Sequence, residues 1–315
     1  MTDNQPPVLI VGTGAMACLF AARLSAAHIQ VTMLGTWQEG LMALRQRGVT
    51  VVEQDGREQA YPVNVIDNPM DCAGAPFALV LVKSWQTERA ARQLAACLAP
   101  QGLALTLQNG IGNRETLAQA LGAQRAALGA TTAGAYLLGP GRVRPAGEGV
   151  ITLVIHSRMK PFSDLLGSAG FVVETVSDAS VLLWGKIVIN AAINPISALL
   201  RVPNGELLEQ PSARALLASA AREAAAVAIA KGIRLPYPDP VVATETIARR
   251  TANNLSSMLQ DVLRGAPTEI GAICGVIVDM GEQTGVPTPI NRTLLLLVKA
   301  IEGKKKYEPL EKVKP

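Results

Sequence analysis

Val8-Leu9-Ile10-Val11-Gly12-Thr13-Gly14-Ala15-Met16-Ala17 decides the fold of this chain. Four apolar residues read as a buried strand. Gly12-x-Gly14-x-x-Ala17 follows, and the apolar run Ala15–Ala27 reads as a helix. Strand, glycine turn and helix in that order form the context a dinucleotide fingerprint requires. Gly12 permits the tight turn, Gly14 lets the backbone approach a pyrophosphate, and small Ala17 lets helix and strand pack closely. The helix N-terminus then favours phosphate charge, so Gly12, Thr13, Gly14, Ala15 and Met16 form the expected cofactor loop.

Moving outward, Ile29–Leu34 reads as a second strand. Phe77–Val82 and Leu103–Leu107 read as later buried strands, with helical Thr87–Leu98 between them. Such alternation predicts a Rossmann-type α/β domain, a doubly wound and mostly parallel sheet with helices on both faces. From Ala126 to Val176 the chain is richer in glycine and strand-like. Gly139-Pro140-Gly141 and Gly147 mark turns between Tyr136–Leu138 and Val150–Ile155. After Ser177 long helical patterns take over: Ala179–Leu200, Ser212–Lys231, Val241–Arg264, Thr268–Thr284 and Pro289–Glu302. Gly232, Gly265 and Gly285 stand at helix ends, where glycine is favoured. The expected organisation is a dinucleotide-binding domain over 1–177 and an all-α domain over 178–315.

Composition narrows the function. The 315 residues are 49% hydrophobic and 17% charged, which excludes a disordered chain. Net charge is +4 and scattered, and aromatics are only 3%, so stacking platforms for nucleic acid are scarce. The basic run Lys304-Lys305-Lys306 reads as a solvated tail. Cys18, Cys72, Cys97 and Cys274 show no paired spacing, which argues against a disulfide framework or a zinc site and fits a reducing compartment. Met1–Pro7 is polar and unlike a signal peptide, and no uninterrupted apolar run approaches the ~18 residues of a membrane span. A cytoplasmic protein without nucleic-acid or membrane partners is expected. A homodimer is compatible with the apolar helical faces, although Leu294–Val298 is read as core.

The end of the second strand bears on cofactor choice. An acid ~20 residues beyond the glycines marks NAD sites, but this chain has Leu34-Gly35-Thr36-Trp37, with Glu39 a few positions late. Without that acid a 2′-phosphate meets no repulsion, and Thr36 offers it a hydrogen bond, so NADP(H) is expected even though no arginine stands there. Two further polar features follow strands: Lys83-Ser84 and Gln108-Asn109-Gly110. In open α/β sheets the ligand crevice lies outside the carboxyl ends of the strands.

Within Trp184–Pro195, Lys186, Asn190 and Asn194 recur every four residues on an apolar helix, forming one polar stripe. Burying such groups without partners is costly, so the stripe points to a cleft. Pro195 removes the helical partner of the Ala191 carbonyl and predicts a kink or break. Pro203-Asn204-Gly205-Glu206 reads as a turn. Ser256-Ser257-Met258-Leu259-Gln260-Asp261 and Thr268-Glu269 are further polar clusters, with Thr268 a candidate N-cap.

With these motifs in view, the chain resembles the ketopantoate reductase (2-dehydropantoate 2-reductase) family over nearly its whole length. Leu183-Trp184-x-Lys186, Asn190, Asn194-Pro195, Pro203-Asn204-Gly205-Glu206, Ser256–Asp261 and Thr268-Glu269-Ile270 carry the resemblance. It implies a helical second domain like the C-terminal domain of 6-phosphogluconate dehydrogenase. It also implies NADPH-dependent reduction of a small 2-oxo acid, ketopantoate, to pantoate. Lys186 would be the general acid, and Asn109 would contact substrate and nicotinamide. Glu269 would bind substrate and orient Lys186. Asn190, Asn194, Asn204 and Ser257 would hydrogen-bond substrate, and Lys83 would lie on the cofactor side. Two positions depart from the family pattern: Gly271 replaces a usual Asp, and Thr36-Trp37 replace an Arg found in many members.

Apolar walls and a second lysine would lower the Lys186 pKa, while Glu269 and a substrate carboxylate would raise it; the sequence leaves the balance open. Lactate-type, malate-type and opine-type enzymes rely on a catalytic histidine, whereas His28 and His156 here read as structural or exposed. Two other readings stay open: a reductase of a different 2-oxo acid, and a catalytically silent NADP(H)-binding regulator.

Overall fold

The computed structural model describes residues 7–302, so the residues before Pro7 and the Lys304–Lys306 run lie outside it. The described chain forms two compact units. One comprises the residues up to Gln108 together with Gly112–Ala179, and the other Asn109–Ile111 together with the residues from Ser180 onward.

The first unit contains β1 (Val8–Val11), α1 (Ala15–Ala26), β2 (Val31–Leu34), α2 (Gln38–Arg47), β3 (Val49–Val52), β4 (Glu58–Tyr61) and β5 (Asn64–Ile66). β6 (Ala75–Val80), α3 (Thr87–Cys97), β7 (Leu98–Thr106), α4 (Asn113–Leu121) and β8 (Ala126–Thr131) follow. β9 (Ala135–Gly139), β10 (Arg142–Pro145), β11 (Val150–Val154), α5 (Lys160–Ser168) and β12 (Val172–Val176) complete it. Eight strands form one sheet in the order β12-β11-β8-β7-β6-β1-β2-β5. From β8 to β5 all pairings are parallel, and β11 joins β8 antiparallel. Alternation along β1 shows why both faces are covered. Val8 and Ile10 enter an apolar cluster with Phe20 and Leu24 of α1, whereas Leu9 and Val11 enter one with Leu94 of α3 and Leu117 of α4.

A second sheet, β4-β3-β10-β9, was not foreseen. The sequence had indicated turns around Gly141 and Gly147, and both glycines do adopt positive φ. The parallel pairing of β10 with β3 joins segments some ninety residues apart, a contact no local pattern encodes. Cys72 and Cys97 also prove to be neighbours. The Cys72 thiol donates to the Pro69 carbonyl at 3.1 Å and the Gly74 N–H donates to the Cys97 carbonyl at 2.8 Å, although every cysteine is free.

The second unit is helical: α6 (Ala179–Leu200), α7 (Glu206–Glu209), α8 (Pro211–Ala230), α9 (Pro240–Arg250), α10 (Ser257–Leu263), α11 (Val276–Thr284) and α12 (Pro289–Ile301). A π-helical turn, Gly271–Gly275, precedes α11. Three expectations need correction. First, of the kink or break expected at Pro195, the break does not occur: α6 runs 22 residues with the proline inside. The Ala191 carbonyl, which loses its helical partner to the proline, accepts from the Cys274 thiol at 3.8 Å. Second, the helix expected over Val241–Arg264 is divided at residues 251–256. The carbonyls of Ala252 and Asn254 accept instead from Gly205 and Asn204 N–H, each at 3.0 Å. Third, the helix expected over Thr268–Thr284 opens with the π turn.

α6 is long and apolar enough to cross a membrane by length and composition, but more than half of its apolar window is buried inside the protein. It forms the spine of a core with Leu217, Ala221, Met258, Ile273, Leu294 and Val298. The segment Leu294–Val298 divides: Leu294 and Val298 are core, while Leu296 and Leu297 are exposed.

Candidate active site

In the first unit, strand order reverses at β1, with β2 on one side and β6 on the other. Gly12 leaves β1 at φ +129°. A Cβ there would lie 3.1 Å from the Leu81 carbonyl oxygen, so the loop after β6 seals the turn from behind. Gly14 caps α1 without a side-chain bond, and the first turn of α1 contains no acid. Those first-turn N–H groups have no intrahelical acceptor, and the helix dipole adds positive character. Gly14 is exposed, Ala15 and Met16 are partly buried, and Thr13 is buried against Gly35. The packing of Gly35 could not be read from the sequence: a Cβ there would sit 2.6 Å from Thr13 Cγ2. The loop fits a pyrophosphate by backbone access, missing side-chain cap and missing negative charge.

The other strand ends meet this edge through Gln108, whose role the sequence did not single out. Its Nε2 donates to the Val82 carbonyl and to Thr87 Oγ1, both at 2.9 Å, while Thr106 Oγ1 donates to its Oε1 at 2.9 Å. Thr87 Oγ1 in turn donates to Asn113 Oδ1 at 2.8 Å. Leaving such buried groups unpaired costs ~1–3 kcal/mol each, so the network fixes the loops after β6 and β7 together. Lys83 is partly buried at the head of a 3-10 turn, Ser84–Gln86, with its backbone N–H on Gln86 Oε1 at 3.3 Å. Thr36 and Glu39 are exposed beyond β2.

A first test concerns the turn itself. Gly12→Ala forces a side chain into a left-handed conformation facing the Leu81 carbonyl. Strain of ~1–3 kcal/mol corresponds to roughly 5–150-fold weaker dinucleotide binding. Fluorescence titration with NADPH measures it, and undiminished affinity would contradict the assigned loop.

In the second unit, Asn109, Lys186 and Glu269 come together from three separate sequence regions. Asn109 Nδ2 donates to Glu269 Oε2 at 3.3 Å. Glu269 is buried at 6% exposure and interacts electrostatically with Lys186. Desolvation pushes the Lys186 pKa down to about 8, with Glu269 acting in the opposite direction. The balance left open by the sequence thus falls on the side of burial. Thr268 positions Glu269: its Oγ1 accepts from Ile270 N–H at 3.2 Å, as a capping side chain would. Glu302, unnoticed in the sequence, accepts from both the N–H and the hydroxyl of Thr268.

The remaining stripe residues differ in burial. Asn190 is partly buried, and Asn194 is 6% exposed. Asn204 fastens the chain after α9, donating from Nδ2 to Thr251 Oγ1 at 2.9 Å, while its buried Oδ1 has no partner. Ser257 is the first residue of α10 and partly buried. Its neighbour Ser256 is the N-cap, accepting from Leu259 N–H at 3.1 Å and from Ser197 Oγ at 2.7 Å. Tyr237, also missed, donates to the Gly185 carbonyl at 2.9 Å beside Lys186. A separate groove of roughly 700 Å³ beside α7, α8 and α9 is lined by apolar residues and by charges that include the ion pair Arg214–Glu245, and holds none of the expected site residues. His28 is exposed, and His156 Nδ1 accepts from Arg158 N–H at 3.2 Å.

Comparison with known proteins gives the family. The family model described as ketopantoate reductase PanE/ApbA matches residues 8–157, and its C-terminal counterpart matches residues 178–302. The chain is 36% identical over 301 residues to the 2-dehydropantoate 2-reductase of Archaeoglobus fulgidus, covering 94% of this chain and 98% of the relative. Identity to the Halobacterium salinarum enzyme of the same name is 33% over 297 residues, covering 93% and 97%. A PanE/ApbA family ketopantoate reductase from Ralstonia eutropha superposes with a TM-score of 0.87 at 32% identity, covering 95% of this chain and 99% of that one. A D-mandelate dehydrogenase solved with NADH and anilino(oxo)acetate superposes with a TM-score of 0.88 at 25% identity, covering 94% and 98%. On its own residues and on these likenesses, the chain belongs to the ketopantoate reductase family.

Proposed function

We propose that this protein reduces 2-dehydropantoate (ketopantoate) to pantoate with NADPH, as a step in pantothenate and coenzyme A formation. The observation that carries the proposal is Lys186, a desolvated lysine with a pKa of about 8 beside buried Glu269. A general acid works best with a pKa near the working pH. When bound, the reduced nicotinamide supplies a hydride to C2 of the oxo acid. Lys186 Nζ polarises the 2-oxo oxygen and delivers the proton that converts the alkoxide to hydroxyl. Neutral Lys186 then regains its proton from solvent. Glu269 holds the ammonium by charge and takes the Asn109 amide, so both donors keep a fixed direction. Asn190, Asn194, Asn204 and Ser257 supply hydrogen bonds to the substrate's carboxylate and hydroxyl. Gly12–Met16, Thr36 and Lys83 hold the dinucleotide.

A second reading is reduction of another 2-oxo acid with NADH. It draws support from Thr36-Trp37, which place no cation where a 2′-phosphate would bind, and from the D-mandelate dehydrogenase likeness. The deciding experiment follows nicotinamide oxidation with ketopantoate and a panel of 2-oxo acids, using NADPH and NADH in parallel. Highest kcat/KM for ketopantoate with NADPH is expected. A higher value for another oxo acid or for NADH establishes the second reading. Binding of NADPH without oxidation by any oxo acid would leave a non-catalytic protein.

A further inference from the structure

The π turn Gly271–Gly275 touches both of the other segments that carry the proton-transfer groups. From one side comes Asn109-Gly110-Ile111, a tripeptide that belongs to the second unit although both of its flanks belong to the first. Asn109 bonds Glu269, and Ile111 packs on the helical core. Between them Gly110 stands at φ +91° against Ala272. A Cβ on Gly110 would lie 2.6 Å from the Ala272 Cβ and 2.8 Å from its carbonyl oxygen. On another side, Cys274 of the same turn donates to the carbonyl of Ala191, five residues beyond Lys186 on α6. An α-helical turn would present residues 272 and 274 at a different angular spacing from that of a wider π turn, and π turns recur at functional sites.

We infer that Ala272 is a positioning residue: its small side chain, presented by the π turn, seats Gly110 and thereby holds the Asn109 amide on Glu269. The inference rests on the proposed reductase chemistry for its kinetic readout but not for its structural one. Three features converge on it. Gly110 has no room for a side chain. Ala272 is the residue that closes that space. Glu269, three residues earlier, receives the neighbouring Asn109. A larger residue at 272 pushes against Gly110, and the displacement passes directly to Asn109.

The experiment compares Ala272→Gly, Ala272→Ser and Ala272→Val in the full chain. Displacement of a catalytic group by about 1 Å costs on the order of 10²-fold, so Ala272→Val is expected to lose about that factor in kcat while its NADPH affinity stays within about twofold. Ala272→Gly removes the methyl group on which Gly110 rests and should also lower kcat, by less than Ala272→Val, while Ala272→Ser, which keeps the Cβ, should lie nearest to wild type. Thermal unfolding of each variant separates displacement from loss of the fold, because a purely structural role lowers Tm and kcat together along the series. The crystal structure of Ala272→Val supplies the second readout: the Asn109–Glu269 hydrogen bond should be gone. Wild-type activity with unchanged kcat in Ala272→Val overturns the inference and leaves the reductase reading intact. So does an Asn109–Glu269 bond preserved in that variant. Wild type inactive towards every oxo acid removes the reductase reading, and the crystal structure alone then decides the positioning role.

Discussion

Replacing Lys186 with alanine is expected to lower kcat by ~10²–10⁴-fold, the usual contribution of a positioned general acid. NADPH affinity should stay nearly unchanged, since the proposed cofactor loop is Gly12–Met16, in the first unit. A loss confined to KM would mean that Lys186 binds substrate equally in ground and transition states and does no proton chemistry. Stability gives an independent check. Lys186 is a desolvated ammonium, and keeping a charge in such surroundings is unfavourable. Removing it nevertheless leaves buried Glu269 without its cation, so Tm is expected to fall, and circular dichroism must show that the variant is folded before its kcat is read. Lys186→Arg separates two parts of the role. The guanidinium keeps the positive charge but does not release its proton in proteins, so it polarises the oxygen without donating. Turnover close to wild type in either variant would sink the assignment.

How much of this could be seen in the sequence depended on how local each cause was. The glycine loop was legible because its strand, turn and helix are contiguous and each small residue has a steric reason. The Lys186–Asn190–Asn194 stripe was legible because helical spacing is local, although the sequence could not show that Asn194 is buried and Asn190 only partly so. Pro195 could not show whether the helix would end there, because the group that takes the freed Ala191 carbonyl, the Cys274 thiol, lies some eighty residues later. The division between α9 and α10 misled for a similar reason. No glycine or proline interrupts residues 241–264, so periodicity alone extends the helix. What stops it is competition from Asn204 and Gly205, which take the carbonyls of Asn254 and Ala252. Gly205 can approach that closely because a Cβ there would sit 2.7 Å from the Ala252 Cβ.

The polar clusters show the same limit in finer detail. Adjacent serines at 256 and 257 look equivalent in sequence, yet Ser256 is a buried cap tied to Ser197, and Ser257 is the one left partly open. Gln108 and Asn109 likewise look like one polar pair after a strand. Gln108 is consumed by Val82 and Thr87 in the first unit, while Asn109 turns to Glu269 in the second. Hydrogen-bond partners far along the chain thus separate neighbours that look alike in sequence.

Glu269→Gln is expected to move the alkaline limb of the kcat–pH profile to lower pH. Turnover needs Lys186 protonated, so in the wild type it should hold steady below about pH 8 and decline above it. The lysine value reflects two opposed causes: desolvation lowers it, and the Glu269 charge raises it. Glutamine removes only the second, so the pKa falls further and the limb follows it down. At alkaline pH each unit of displacement removes about tenfold more of the protonated form, corresponding to 1.36 kcal/mol per unit. At acid pH, where Lys186 is charged in both proteins, the gap should narrow. What remains there measures orientation alone, because the glutamine Oε1 can still accept from Asn109. Glu269→Ala loses that acceptor as well, so its acid-side rate should lie below that of Glu269→Gln. A limb that stays in place, or moves to higher pH, would show that Glu269 does not set the charge state of Lys186. An acid-side gap as wide as the alkaline one would mean that Glu269 acts on the substrate directly and not through the lysine.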